Sequence, residues 1–103
     1  MRARYSSKPD VAVPVLVSLE VEGDPEPTTG WITRLSLAGV DIESLRAPPV
    51  GSRIAFYTTL EPDSSEVLAF TGRVRWVAGG RVGVQFTELG AKETYAIVRA
   101  MRK

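Results

Sequence analysis

Hydrophobic residues in this chain fall at every second position, run after run, and that periodicity restricts the fold more than any other feature. Val11, Val13, Val15, Val17, Leu19 and Val21 occupy consecutive odd positions, with Ala12, Pro14, Ser18, Glu20 and Glu22 among the residues between them. Successive side chains of a strand point to opposite faces, so this pattern predicts a strand with one buried face. Pro14 has no N–H to offer a ladder, which puts an edge or a bulge at that point. Ile54, Phe56, Thr58 and Leu60 alternate in the same way with Arg53, Ala55, Tyr57 and Thr59. Leu68, Phe70, Val74 and Trp76 alternate with Ala69, Thr71, Arg73 and Arg75 around Gly72, and a glycine inside a long strand marks a bend that curls a sheet. Phe56, Phe70, Trp76 and Phe86 all lie on the apolar phase and are expected in the core.

The connections are built from turn residues. GDPEPTTG at 23–30, LRAPPVGS at 45–52, EPDSSE at 61–66 and the pair Gly79-Gly80 separate the apolar runs. Between the first two lies WITRLSLAGVDIE, Trp31 to Glu43. It reads as two strands, at about 29–36 and 39–44, joined at a corner carrying Ser36 and Gly39. Small residues at such a corner let a ligand or a second backbone come close. Val82, Val84 and Phe86 mark the last strand. From about Leu89 the period changes: Ala91, Tyr95, Val98 and Met101 recur at helical spacing, with Lys92, Glu93, Arg99 and Arg102 largely on the other side. Early acids and late bases suit the helix dipole. The expectation is all-β with one C-terminal helix: six antiparallel strands closing into a small barrel over 11–103, the helix at about 89–102, and a flexible basic arm at 1–10 carrying Arg2, Arg4 and Lys8. Ile97 and Ala100, if not buried within the chain, offer a dimer contact.

Composition narrows the function. A chain of 103 residues with 44% hydrophobic and 24% charged residues is one soluble domain. It contains no cysteine and no histidine, which removes disulfides, thiolate chemistry and the commonest general base and metal ligand. No serine has a nucleophile context and no phosphate loop occurs, so the chain reads as a binding module without catalytic residues, metal or cofactor. The acids Glu20, Glu22, Asp24 and Glu26 match no calcium loop and belong to a solvated turn. No apolar run approaches a membrane span, and the expected location is the cytoplasm. The net charge is +1, so an anion site needs local clustering. Arg34, Arg53, Arg73 and Arg75 on outward strand positions, with the basic arm, supply it. Single-stranded nucleic acid is disfavoured because the aromatics that would stack on bases fall on the core phase.

Gly72-Arg73-Val74-Arg75-Trp76 and Val82-Gly83-Val84-Gln85-Phe86, with Val13-Pro14-Val15 before them, resemble the PilZ domain family in order and spacing. That resemblance spans about 4–102. It implies a six-stranded antiparallel barrel with a terminal helix, and a receptor for cyclic di-GMP or an adaptor built on the same frame. In binding members an R-x-x-x-R arm precedes the first strand and a [DN]-x-S-x-x-G corner follows the second. Arg4 and Lys8 fall on the two arm positions. Arg34, Ser36 and Gly39 fall on the corner positions. The implied ligand-binding residues are therefore Arg4, Lys8, Arg34, Ser36 and Gly39, with auxiliary basic contacts from Arg2, Arg73 and Arg75.

Two positions depart from the motif. Lys8 keeps the charge of an arginine without its planar two-pronged grip. Arg34 stands where a carboxylate or amide should accept the N1 and N2 donors of guanine, and a guanidinium has no acceptor. Such a change costs about 1–3 kcal/mol, roughly ten- to hundredfold in affinity. Two functions follow from the resemblance: a signalling module that binds cyclic di-GMP, weakened by these changes, and relays it to a protein partner in bacterial motility or surface processes; or an adaptor that has lost the ligand and acts only through protein contacts.

Overall fold

The computed structural model of the chain describes residues 15–60 and 66–101. Within them the alternating runs become six strands and a helix: β1 (Val15–Val21), β2 (Thr28–Leu35), β3 (Gly39–Ser44), β4 (Arg53–Thr58), β5 (Leu68–Ala78), β6 (Arg81–Glu88) and α1 (Ala91–Met101). The strands close into a barrel in the order β1-β2-β3-β6-β5-β4, with β4 returning to β1 and every pair antiparallel. Closure removes the sheet edges that a flat sheet of this size would expose. The periodicity of β1 survives intact, with Val17 and Leu19 buried and Leu16, Ser18 and Glu20 outside.

The inward residues form one core, with Phe56 and Phe70 at its centre. They face each other directly across β4 and β5, and their rings stack at 5.0 Å between centroids. Phe86 lies 5.6 Å from Phe70, so three rings from three strands fill the barrel. Aromatic pairs at this separation contribute beyond the area they bury.

Two expectations about side-chain direction are corrected. Trp76 is not in the core; it is 42% exposed. The pairing of β5 with β6 slips between Val74 and Trp76, so that Val74 faces Val84 and Trp76 faces Gly83, leaving Arg75 as an extra residue. A bulge of this kind shifts the alternation by one and turns Trp76 outward. A second slip, between Thr71 and Gly72, falls where the strand glycine predicts a bend.

The helix also buries a different stripe. Ile97 and Ala100 pack inward, whereas Tyr95 and Met101 are exposed and Val98 is only half-buried. Ala100 lets the helix approach the sheet closely, and α1 packs on β5 through this narrow face. Ile97 and Ala100 therefore belong to the chain's own core and are not available as a dimer contact. The outward Tyr95 ring carries the Arg99 guanidinium 5.5 Å from its centroid. Lys92 pairs with Glu66 at 2.8 Å, tying the start of α1 to the segment before β5, and that carboxylate raises the lysine's pKa.

Strand direction sorts the loops between two ends. At one end Arg46 gathers the β1–β2 and β3–β4 connections, donating to the Glu26 carbonyl at 2.9 Å and pairing with Asp24 and Glu26 at 3.5 and 3.6 Å. Gly79 and Gly80 make the β5–β6 turn there, both with positive φ. At the other end lies the β2–β3 corner. The chain enters β1 at that same end, since Val15 pairs with Ile32 near the finish of β2.

Candidate functional site

Ser36 and Gly39 build the corner. The Ser36 hydroxyl accepts from the Ala38 and Gly39 amides at 3.1 and 3.3 Å and donates to the Gly39 carbonyl at 3.3 Å, while its own amide donates to that carbonyl at 2.9 Å. These local bonds pin the turn without help from the rest of the fold. Gly39 is required for a different reason: a Cβ there would stand 2.0 Å from the Val84 carbonyl oxygen. Only glycine lets β3 approach β6 this closely. The Phe86 amide then donates to the Ala38 carbonyl at 2.9 Å, fixing the corner to β6.

Arg34 is aimed by a bulge between β2 and β3. Ile32 pairs with Ile42 but Arg34 pairs with Asp41, so Thr33 is extra and Arg34 leaves the barrel wall while Leu35 returns to the core. Its Nε stands 4.0 Å from a carboxylate oxygen of Asp41. Asp41 pairs in turn with Gly83, and Gly83 with Trp76. Four strands thus place Arg34, Asp41, Gly83 and Trp76 in one row across the outer face. The indole lies over Gly83, where a Cβ would fall 2.1 Å from its Nε1. Arg75, freed by the bulge, stands beside it.

Together these residues line an open groove of about 520 Å³ that holds two arginines, one carboxylate, an exposed indole and the corner amides. An arginine can grip phosphate oxygens, a flat ring can stack on a base, and the carboxylate can accept from ring N–H groups.

Of the residues the sequence singles out, the structure brings Arg34, Ser36, Gly39 and Arg75 to this groove. Arg73 is elsewhere: it faces Arg53 across β4 and donates to the Gly51 carbonyl at 2.9 Å. Arg2, Arg4 and Lys8 lie outside the described residues. Two groove residues were not foreseen as such. Trp76 was hidden by its bulge, although a glycine in a strand at position 83 signals a close neighbour. Asp41 carries no signal of its own, because sequence alone does not pair it with Arg34.

A second groove, about 580 Å³, lies on the outer face formed by β1, β4, β5 and β6. Its charges are Glu20, Glu22, Asp24 and Arg53, and it has no aromatic wall. The Tyr57 phenol donates to Glu20 at 3.3 Å, and the Glu20 charge, burial and this bond together raise the tyrosine's pKa.

Closed barrel, terminal helix and basic groove define a small ligand-binding or adaptor domain. The PilZ domain family matches residues 2–103, and the chain belongs to that family, whose domains are binding and adaptor modules, in general for cyclic di-GMP. The solved PilZ domain of CeSA from a cellulose-synthesizing bacterium superposes with a TM-score of 0.68 at 16% identity, over 89% of this chain and 93% of that one. At this identity the likeness establishes the fold. No curated protein sequence matches the chain. Among the described residues no helix is long and apolar enough to cross a membrane.

Proposed function

We propose that this domain is a receptor module that binds cyclic di-GMP in the β2–β3 corner groove and passes the signal to a protein partner, in bacterial motility or surface processes. The observation that carries this reading is the exposed Trp76 indole lying over Gly83 in the groove that Arg34, Arg75 and the Ser36–Gly39 corner also line. A guanine stacks on the indole, and the cyclic phosphates meet the arginines. The chain enters β1 at the corner end; in this reading Arg4 and Lys8, eleven and seven residues before Val15 in the sequence, close over the bound dinucleotide. Closing an arm over a ligand changes the surface offered to a partner.

Calorimetric titration with cyclic di-GMP tests this. Expected is one saturable event at micromolar ligand, about −8 kcal/mol, with a rise in melting temperature. The adaptor reading rests on Arg34, which supplies no acceptor from the corner motif itself. No heat and no thermal shift at high micromolar ligand would establish that reading in place of the receptor.

A further inference from the structure

We propose that Asp41, not the corner motif, is the residue that reads the base, making the groove selective for guanine over adenine. The inference rests on the receptor reading above and adds to it the source of its specificity.

Register is the first ground. Asp41 stands directly across from Arg34 on one side and from Gly83 on the other, and Gly83 carries the Trp76 indole. Neighbouring strands are about 5 Å apart, so a ring stacked on the indole over Gly83 brings its edge within one strand spacing of Asp41. Access is the second ground. The Asp41 side chain lines the groove and keeps 23% of its surface open. The Arg34 Nε stands 4.0 Å away, longer than a hydrogen bond, which leaves acceptor capacity on the Asp41 oxygens.

Chemistry supplies the choice of base. A carboxylate accepts at two oxygens and donates nothing. Guanine presents two adjacent donors, N1–H and the N2 amino group, which match those oxygens side by side. Adenine offers an acceptor at N1, which a carboxylate repels. Arg34, a donor only, is then free of the base-reading role and turns to a phosphate or to the O6/N7 edge. Donor and acceptor have in effect been placed on opposite members of one cross-strand pair.

The experiment compares cyclic di-GMP with cyclic di-AMP by calorimetry on the wild type, Asp41→Ala and Asp41→Asn, with melting curves to verify folding. The wild type should prefer the guanine ligand. Asp41→Ala should lose roughly tenfold or more in cyclic di-GMP affinity and most of the preference, with cyclic di-AMP binding held or improved. Asp41→Asn, which keeps one acceptor, should fall between. If the wild type binds cyclic di-GMP and Asp41→Ala retains both affinity and preference, Asp41 does not read the base while the receptor reading stands. If the wild type binds neither dinucleotide, the receptor reading itself fails and this one with it.

Discussion

Two outer grooves formed by the described residues are of nearly equal size, about 520 and 580 Å³, and each includes a strand glycine. What lies against the glycine differs. At Gly83 the missing side chain is replaced by the Trp76 indole, while at Gly72 it is replaced by β6 itself, with the Gln85 carbonyl oxygen 2.5 Å and the buried Val84 Cγ1 2.6 Å from where a Cβ would be. The first glycine seats a ring that a ligand can use; the second brings two strands together. Charge divides the grooves as well, with Arg34 and Arg75 against Asp41 in one and three carboxylates against Arg53 in the other. Volume alone would make them equivalent. Glycine neighbour and local charge distinguish the corner groove, and they are what the proposed anionic, base-bearing ligand would use.

Adding one methyl group at each glycine separates the two roles. Gly72→Ala drives a Cβ into the β6 backbone and should cost about 1–3 kcal/mol, lowering Tm by on the order of 10 °C. Its ligand affinity, measured below the new transition, should be unchanged. Gly83→Ala meets only the exposed indole, which can swing away, so Tm should fall less while cyclic di-GMP binding weakens by about tenfold. Equal Tm losses with equal affinity losses would mean that the grooves do not differ in the way their glycines indicate.

The two tryptophans offer the next contrast. Trp76 and Trp31 are similarly exposed, at 42% and 45%, but Trp31 faces Leu16 on the β1–β2 surface, away from the arginines of the corner groove. Trp76→Ala should weaken cyclic di-GMP by ten- to hundredfold, since base stacking is worth about 1–3 kcal/mol, and Trp31→Ala should leave it alone. Equal effects would show that exposure, not position, governs. The arginines follow with a smaller effect. Arg75→Ala removes a solvent-exposed cation, so about fivefold in affinity and a shallower salt dependence are expected, whereas Arg53→Ala in the other groove should change neither.

Much of this frame was legible in the sequence, because alternation, turn residues and the shift to helical spacing are local. β1, the Gly79-Gly80 turn and the Ser36–Gly39 corner needed only neighbouring residues to specify them. What was not legible depends on pairing. The extra residues Thr33 and Arg75 exist only relative to a partner strand, and each redirects a groove residue, Arg34 or Trp76. Period-two counting carries Trp76 inward because it has no means of noticing a slip. In α1 the larger Tyr95 and Met101 suggested the buried stripe, but the contact is made by Ile97 and small Ala100. Asp41 acquires its meaning solely from standing opposite Arg34.

The acidic groove can be tested through a tyrosine outside it that bonds one of its carboxylates. Tyr57 donates to Glu20, and forming a phenolate there would set two negative charges together and forfeit the bond, which is why its pKa lies above the ordinary 10.0. A group raised in the folded state contributes stability that is fully present below its unfolded pKa and is lost as pH rises through the folded one. The window is therefore alkaline, from about pH 10 upward. Glu20→Gln removes the charge, so Tyr57 should ionise at lower pH and the alkaline loss attributable to this pair should disappear. Phenolate absorbance titrations of wild type and Glu20→Gln, taken as a difference, isolate Tyr57 from the other two tyrosines. Superimposable curves would mean that Glu20 exerts no field on this groove, and the charge contrast between the grooves would then rest on Glu22 and Asp24.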